Sequence, residues 1–379
     1  MNEKTLKTLA IKSIVAMLGV VLFSSMFTKY NGEIVSAIKN IKDVINNEYK
    51  ENVVVALDVE NHPPAKFYEN IETKEIVNSI GNTYLKIKKP VEKSFPVELE
   101  DLYMERKIRV SISNLEDKLM KKNSVVFGGT EGAPLLDVAI SYEYNPETFL
   151  YKAIFDIELD NIYVYCIYED KENIYIDLLK TDEVYEQIVV IDVGHGGNDI
   201  GAYTKDMKVY EKDINLEIVL CLKELLDKRE DMKVYYTRLT DEKVYLNPRL
   251  NLANDLKADM FISIHCNSSE YKSAKGSEAL YSTKYQKKLS IKSDELAQIL
   301  LNQLTETTNI KNRGLINGND IYIIGNAKVP VALIEIGFIS SPDELKFLKK
   351  KKNQELIAEG IYNGILKVYE KLEEQKDKE

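Results

Sequence analysis

The chain has only three histidines, and two of them stand where ligand chemistry collects. His195 lies in IDVGHGGND, just past an apolar, strand-like run and inside a glycine-rich turn. His265 ends a second such run, DMFISIH, in which alternation puts Phe261, Ser263 and His265 on one face. If the two strands run the same way, both imidazoles reach one edge of a sheet, where open α/β sheets gather their ligands. Neutral imidazole is the commonest metal ligand, so the pair reads as metal-binding. His195 alone is better explained as a solvated or capping residue at a turn; His265 shifts that balance. GHGGND is not a phosphate loop, because it has neither the GxxxxGK[ST] spacing nor the GxGxxG order.

A zinc site needs a third donor, and Glu211 in VYEKDINL stands at the mouth of the next helix. The helix dipole also favours a carboxylate there without any metal. Two histidines and one glutamate form an established catalytic zinc set that leaves a fourth position open. Glu335 is the only charged residue in VPVALIEIGFI. A carboxylate in an apolar strand is costly unless paired or bound, so it is either half of a buried ion pair or a functional group. As a functional group it suits a general base, since an apolar wall raises its pKa towards the working pH.

The elements that must position these four residues follow from the pattern around them. From residue 187 on, strand-like runs (QIVVIDV, MKVYYT, DMFISIHC, DIYII, VALIEI) alternate with helical ones (INLEIVLCLKELLDK, LNPRLNLANDLK, SDELAQILLNQLTETT, QELIAEGIYNGILKVYEKL). That alternation implies an α/β domain, a twisted mixed sheet with helices on both faces, over 186–379. Residues 51–185 read differently. ENVVVALDVEN, TYLKIKK, RKIRVSIS, LLDVAISYEY, KAIFDIELD, NIYVYCIYED and ENIYIDLL are short, β-branched and Tyr-rich, with turn signals between them. They predict a smaller, mostly antiparallel β domain with a linker near 181–186. Alternating tyrosines there are most simply cross-strand pairs, and His62, before two prolines, a loop residue.

Ahead of these lies a basic stretch with Lys4, Lys7 and Lys12, then the uncharged run SIVAMLGVVLFSSMFT. Residues 1–29 therefore read as an N-terminal hydrophobic helix, a signal-anchor or a cleaved signal peptide, with a buried core helix as the alternative. Residues 30–50 carry Ile34, Ile38, Ile41 and Ile45 at helical spacing and predict a short stalk. Export places the rest of the chain outside the cytoplasm, in the cell envelope, with membrane contact through the N-terminal segment.

At 379 residues the chain has room for two domains, and 44% apolar content supplies their cores. A formal net charge of −10 argues against a general nucleic-acid binder. Three scattered cysteines, Cys166, Cys221 and Cys266, exclude a disulfide framework or a Cys-based zinc module.

On IVVIDVGHGGNDIGA, EKDINLEIVLCLKELL, VYYTRLTD, LNPRLNLANDLKADMFISIHCN, the Gly276 and Tyr281 segment, RGL at 313–315 and VPVALIEIGFISSPDE, residues 187–372 resemble the zinc-dependent N-acetylmuramoyl-L-alanine amidases of the amidase type 3 family. The resemblance implies zinc on His195, Glu211 and His265, with Glu335 as the catalytic glutamate. It implies peptidoglycan as substrate and, as the bond cut, the amide between the lactyl carbonyl of N-acetylmuramic acid and L-alanine. Three further residues carry lesser expectations. Asp192 is placed to orient His195 or is an ordinary strand-end group. Asn267 contacts substrate or serves a turn. Arg313 lines the groove or makes a capping salt bridge. Departures from the family pattern are Cys266, Asn247-Pro248 and Ser340-Ser341, none on the four principal residues. Some members carry an inhibitory helix, and 267–293 is too short for one, so no activator is expected. Two rival readings stay open: a silent wall-binding relative, and another zinc-dependent hydrolase of the stem peptide. The β-rich region is a wall-contacting or protein-contacting module, or a spacer.

Overall fold

The structure is a computed structural model that describes residues 67–68, 80–81, 83–91, 95–128 and 134–376. The hydrophobic segment 1–29, the stalk 30–50, ENVVVALDVEN and His62 lie outside the described residues. Among the described residues no helix is long and apolar enough to cross a membrane.

The β-rich region contributes β1 (Phe67–Tyr68), β2 (Tyr84–Lys88), β3 (Val97–Leu102), β4 (Lys107–Leu115), β5 (Val125–Phe127), β6 (Leu135–Asn145), β7 (Leu150–Leu159), β8 (Tyr163–Glu169) and β9 (Asn173–Lys180). They form two sheets, ordered β1-β8-β9-β2-β5 and β3-β4-β7-β6, antiparallel throughout except for the β1–β8 pair. The alternation in the sequence explains the shared core. Leu85, Ile87, Ile174 and Ile176 of one sheet meet Val110, Ile112, Phe155 and Ile157 of the other. β3 is not among the runs read as strands from the sequence, and VELEDL carries three acids in six residues. Val97 and Leu99 nevertheless face inward, while Glu98 and Glu100 face outward to Lys152 and Arg109 at 2.8 and 3.3 Å.

After the one-turn helix α1 (Thr181–Val184), the chain enters the α/β region. Its elements are β10 (Gln187–Val193), α2 (Glu211–Leu226), β11 (Met232–Tyr236), α3 (Leu246–Leu256), β12 (Met260–Asn267), β13 (Ser277–Tyr281), α4 (Ser293–Thr308), β14 (Asn312–Asn317), α5 (Tyr322–Asn326), β15 (Val331–Phe338), α6 (Pro342–Leu348) and α7 (Lys351–Lys376). One six-stranded sheet runs β11-β10-β12-β15-β13-β14. β10, β11, β12 and β15 are mutually parallel, and β13 joins β15 antiparallel. One face packs on α2, α4 and α7 through Ile191, Ile264, Ile334, Leu222, Leu300 and Ile361. The other packs on α3 and α5 through Val190, Phe261, Leu333, Leu250 and Ile324.

One expected strand is corrected. DIYII supplies the start of α5 rather than a strand, because the turn after Asn317 redirects the chain and Ile323 and Ile324 press together onto the sheet. The strand of that neighbourhood is β14, which contains RGL.

The expected linker near 181–186 is packed. Thr181 is buried, and its hydroxyl sits 3.0 Å from that of Tyr235. Nearby, Tyr103 of the β-rich region caps β11, the edge strand. Its hydroxyl donates to the Tyr236 carbonyl at 2.7 Å and accepts from the Tyr236 amide at 3.3 Å. Its ring meets Tyr235 edge-on at 5.1 Å, and Arg106 pairs with Asp255. The open N–H and C=O of Tyr236 at the sheet edge are thereby used within the chain.

Candidate metal centre

The parallel run of β10, β12 and β15 brings three sequence-distant groups to one end of the sheet. His195 sits two residues past β10 with φ of +62°, a left-handed conformation sterically disfavoured for any residue with a Cβ. His265 is near the end of β12 and stands in register with Glu335 on β15. Glu211 is the first residue of α2, 4% exposed, with its carboxylate turned into the sheet end.

The three expected ligands converge. Glu211 Oε2 lies 3.2 Å from His195 Nε2, and Glu211 Oε1 lies 2.8 Å from His265 Nδ1. One donor atom from each falls within 4.8 Å of the others. The imidazole rings stand edge to face at 4.9 Å. Backbone amides of Ala202 and Cys266 donate to the Glu211 carboxylate at 2.7 and 3.1 Å and fix it. Two glycines make the approach possible. A Cβ on Gly194 would stand 2.5 Å from the His265 ring, and one on Gly201 would stand 2.5 Å from Glu211 Oε2.

The electrostatics follow from this crowding. Burial opposes ionisation of Glu211, but hydrogen bonds to His195 and His265 outweigh it and hold the carboxyl well below its ordinary range. Burial likewise works against a charged His195, yet its bonds to Glu211 and Asp199 raise it to about 9. The cluster is built to hold positive charge against a buried carboxylate, and a divalent cation satisfies that demand. Glu335 is the opposite case. Burial raises it to about 7, with the neighbouring carboxylates Glu211 and Glu278 adding to the effect and the two histidines working against it. Its Oε2 is buried and has no hydrogen-bond partner, so the pairing alternative for this group is not realised at that oxygen.

The lesser expectations fare differently. Asp192 does not reach the His195 ring. Its oxygens accept from Thr237, Arg249 and Ser263 at 2.8, 2.7 and 2.6 Å, because the strand turns its side chain into the sheet rather than towards the turn. The acceptor for His195 Nδ1 is Asp199, at 2.9 Å. GHGGND already contains that aspartate, four residues on. Asn267 and Arg313 are brought together on Glu278, at 2.7 and 2.6 Å. Glu278 stands in register with Glu335 across β13 and β15. Sequence reasoning missed it because SEALY carries no long alternating pattern. Cys266 is buried in the core beneath α2, as its alternation with His265 implies.

Comparison with known proteins bears on the same half of the chain. A family model described as N-acetylmuramoyl-L-alanine amidase matches residues 189–367. The germination-specific N-acetylmuramoyl-L-alanine amidase of Bacillus subtilis is 30% identical over 199 residues, covering 48% of this chain and 80% of that protein. An N-acetylmuramoyl-L-alanine amidase structure from Clostridium difficile 630 is 35% identical, covers 48% of this chain and 97% of its own, and superposes with a TM-score of 0.46. The CwlD amidase of Clostridioides difficile, solved in complex with the GerS lipoprotein, is 34% identical over 48% of this chain and 98% of its own, with a TM-score of 0.45. The β-rich region lies outside the matched family model.

Proposed function

Because the chain belongs to the N-acetylmuramoyl-L-alanine amidase family, we propose that it hydrolyses peptidoglycan at the amide joining N-acetylmuramic acid to the L-alanine of the stem peptide, with zinc as its metal. The observation that carries the reading is the His195–Glu211–His265 cluster with Glu335 in register beside it. When bound, zinc supplies a Lewis acid for the carbonyl and lowers the pKa of water to about 7.

The chain's own groups do the rest. His195, Glu211 and His265 hold the metal, and Asp199 fixes the His195 ring by taking its Nδ1 proton in a hydrogen bond. Glu335 takes a proton from the attacking water and returns it to the departing alanine nitrogen. Its unpartnered Oε2 suits it for this, since no internal donor competes for the oxygen. Glu278, held by Asn267 and Arg313, keeps a second carboxylate beside Glu335 and helps to hold its basicity high. Arg313 is half-exposed and stacked over Phe338 at 5.0 Å, which suits it to line the substrate groove with Asn267.

Residues 186–379 form the catalytic unit, 51–185 an accessory region that contacts wall or a protein, 30–50 a stalk and 1–29 the membrane anchor or signal. The amidase solved with a lipoprotein supports a protein partner. Between His265 and α4 the described chain forms β13 and one short 3-10 turn, so direct substrate access without an activator is proposed. The working site is extracytoplasmic, where its substrate lies.

The test is a digest. The full chain is incubated with purified peptidoglycan, with and without a zinc chelator, and the fragments are weighed by mass spectrometry. Free stem peptides beginning with alanine, lost on chelation and restored by zinc, are expected. Fragments cut within the stem peptide would make it a different hydrolase. Intact peptidoglycan with zinc bound would make it a silent wall-binding relative.

A pH profile follows from Glu335. A base must be ionised to act, so kcat/KM falls as pH drops through its pKa, tenfold per unit. Burial raises that pKa to about 7 without a cation, and a divalent cation favours the carboxylate and lowers it. The acid limb is therefore expected at or below pH 7, with unit slope. A limb centred above pH 8 would exclude Glu335 as the base.

A further inference from the structure

The turn that carries His195 is gripped from behind by two buried arginines. From the last residue of β10 onward the carbonyls of Val193, Gly194 and His195 follow one another, and each accepts from a guanidinium. Arg249, 3% exposed, donates to Val193 O at 2.5 Å and to His195 O at 2.7 Å. Arg238, 2% exposed, donates to Val193 O at 3.2 Å and Gly194 O at 3.0 Å. The same arginines reach the other two ligand-bearing segments. Arg238 donates to the carbonyl of Lys212, the neighbour of Glu211, at 2.9 Å. Arg249 pairs with Asp192 at 2.7 Å, and Asp192 accepts from Ser263, two residues before His265, at 2.6 Å.

This network answers a local difficulty. Three successive carbonyls leave the sheet ladder where little water reaches, and each needs a donor. His195 also holds a left-handed backbone, which persists only where its surroundings over-determine it. A planar guanidinium fork can serve an aspartate and two carbonyls at once, and a lysine ammonium cannot reproduce that geometry.

We infer that Arg249, together with Arg238, is a positioning residue of the metal centre: it sets the His195 turn against the Glu211 and His265 segments, so that the three donors are in place before the metal binds. The inference rests on the reading of those three residues as ligands.

The test measures zinc affinity rather than turnover, by competing the full chain against a chromophoric chelator, alongside thermal melting of the metal-free protein. Arg249→Lys is expected to weaken zinc binding about 10- to 100-fold, the usual cost of losing an outer partner. The metal-free protein should still melt cooperatively, and saturating zinc should recover much of kcat. A folded Arg249→Lys protein that binds zinc as tightly as the unaltered chain overturns the inference. If Arg249→Lys does not fold, Ser263→Ala removes one hydroxyl from the same network. It should weaken zinc binding about tenfold, and unchanged affinity again overturns the inference. Failure of the unaltered chain to bind zinc would count against the ligand reading instead.

Discussion

Glu335→Gln should lower kcat by about 10²- to 10⁴-fold while zinc content stays at that of the unaltered protein, which is the range over which a positioned proton carrier contributes. The substitution keeps the shape of the side chain and removes its ability to accept a proton from water. It should not weaken the fold. Glu335 is a buried carboxyl whose Oε2 has no partner and whose ionisation is already disfavoured by burial, so a neutral amide relieves a cost rather than creating one. The measurement pairs turnover on purified peptidoglycan with metal analysis and thermal melting. Full activity in the glutamine variant would show that another group carries the proton. Loss of zinc together with activity would make Glu335 part of the metal shell.

His265→Ala is expected to lose metal and activity together. One of three donors disappears, and Glu211 Oε1 loses the partner 2.8 Å away that helps to hold its charge. Loss of even an outer partner costs about 10- to 100-fold in metal affinity, and loss of a donor should exceed that. At micromolar zinc the variant should carry substoichiometric metal and release no stem peptides above background. Chelation of the unaltered chain should have the same effect reversibly, with zinc restoring turnover. A variant that keeps one zinc per chain would remove His265 from the ligand set. Because Glu211 and His195 still attract each other, the variant should remain folded, and melting distinguishes metal loss from collapse.

The α/β region was legible in the sequence because its signals are local. An apolar, β-branched run with a glycine-rich turn at its end, such as QIVVIDV before GHGG, reads as a strand that delivers a side chain to a sheet edge. The lone glutamate in VPVALIEIGFI stands out because burial of charge needs a reason. The amphipathic periodicity of SDELAQILLNQLTETT could form nothing but a helix. Where the sequence reading failed, the deciding forces were not local. DIYII has the composition of a strand, but a preceding turn and the space above the sheet made it helical. VELEDL, absent from the runs read as strands, is one because cross-strand lysine and arginine pair with its outer face while Val97 and Leu99 face inward.

The sequence by itself determined the chemistry: which residues could bind metal, which carboxylate was forced into apolar surroundings, and which strand ends carried them. Only the tertiary structure decided how they are held. It replaced Asp192 by Asp199 as the partner of the His195 ring, set Glu278 beside Glu335, and enclosed the His195 turn between Arg238 and Arg249. It also bound the β-rich region to the sheet edge through Tyr103. The physical reason is one of range. Residue type and periodicity act over a few residues, whereas the bonds from Arg238, Arg249, Thr237 and Ser263 to carbonyls and to Asp192 join positions 40 or more apart, and such pairings are settled only when the whole sheet has formed. Asp199 is the local exception: it lies four residues from His195, and the left-handed turn at His195 brings the two together.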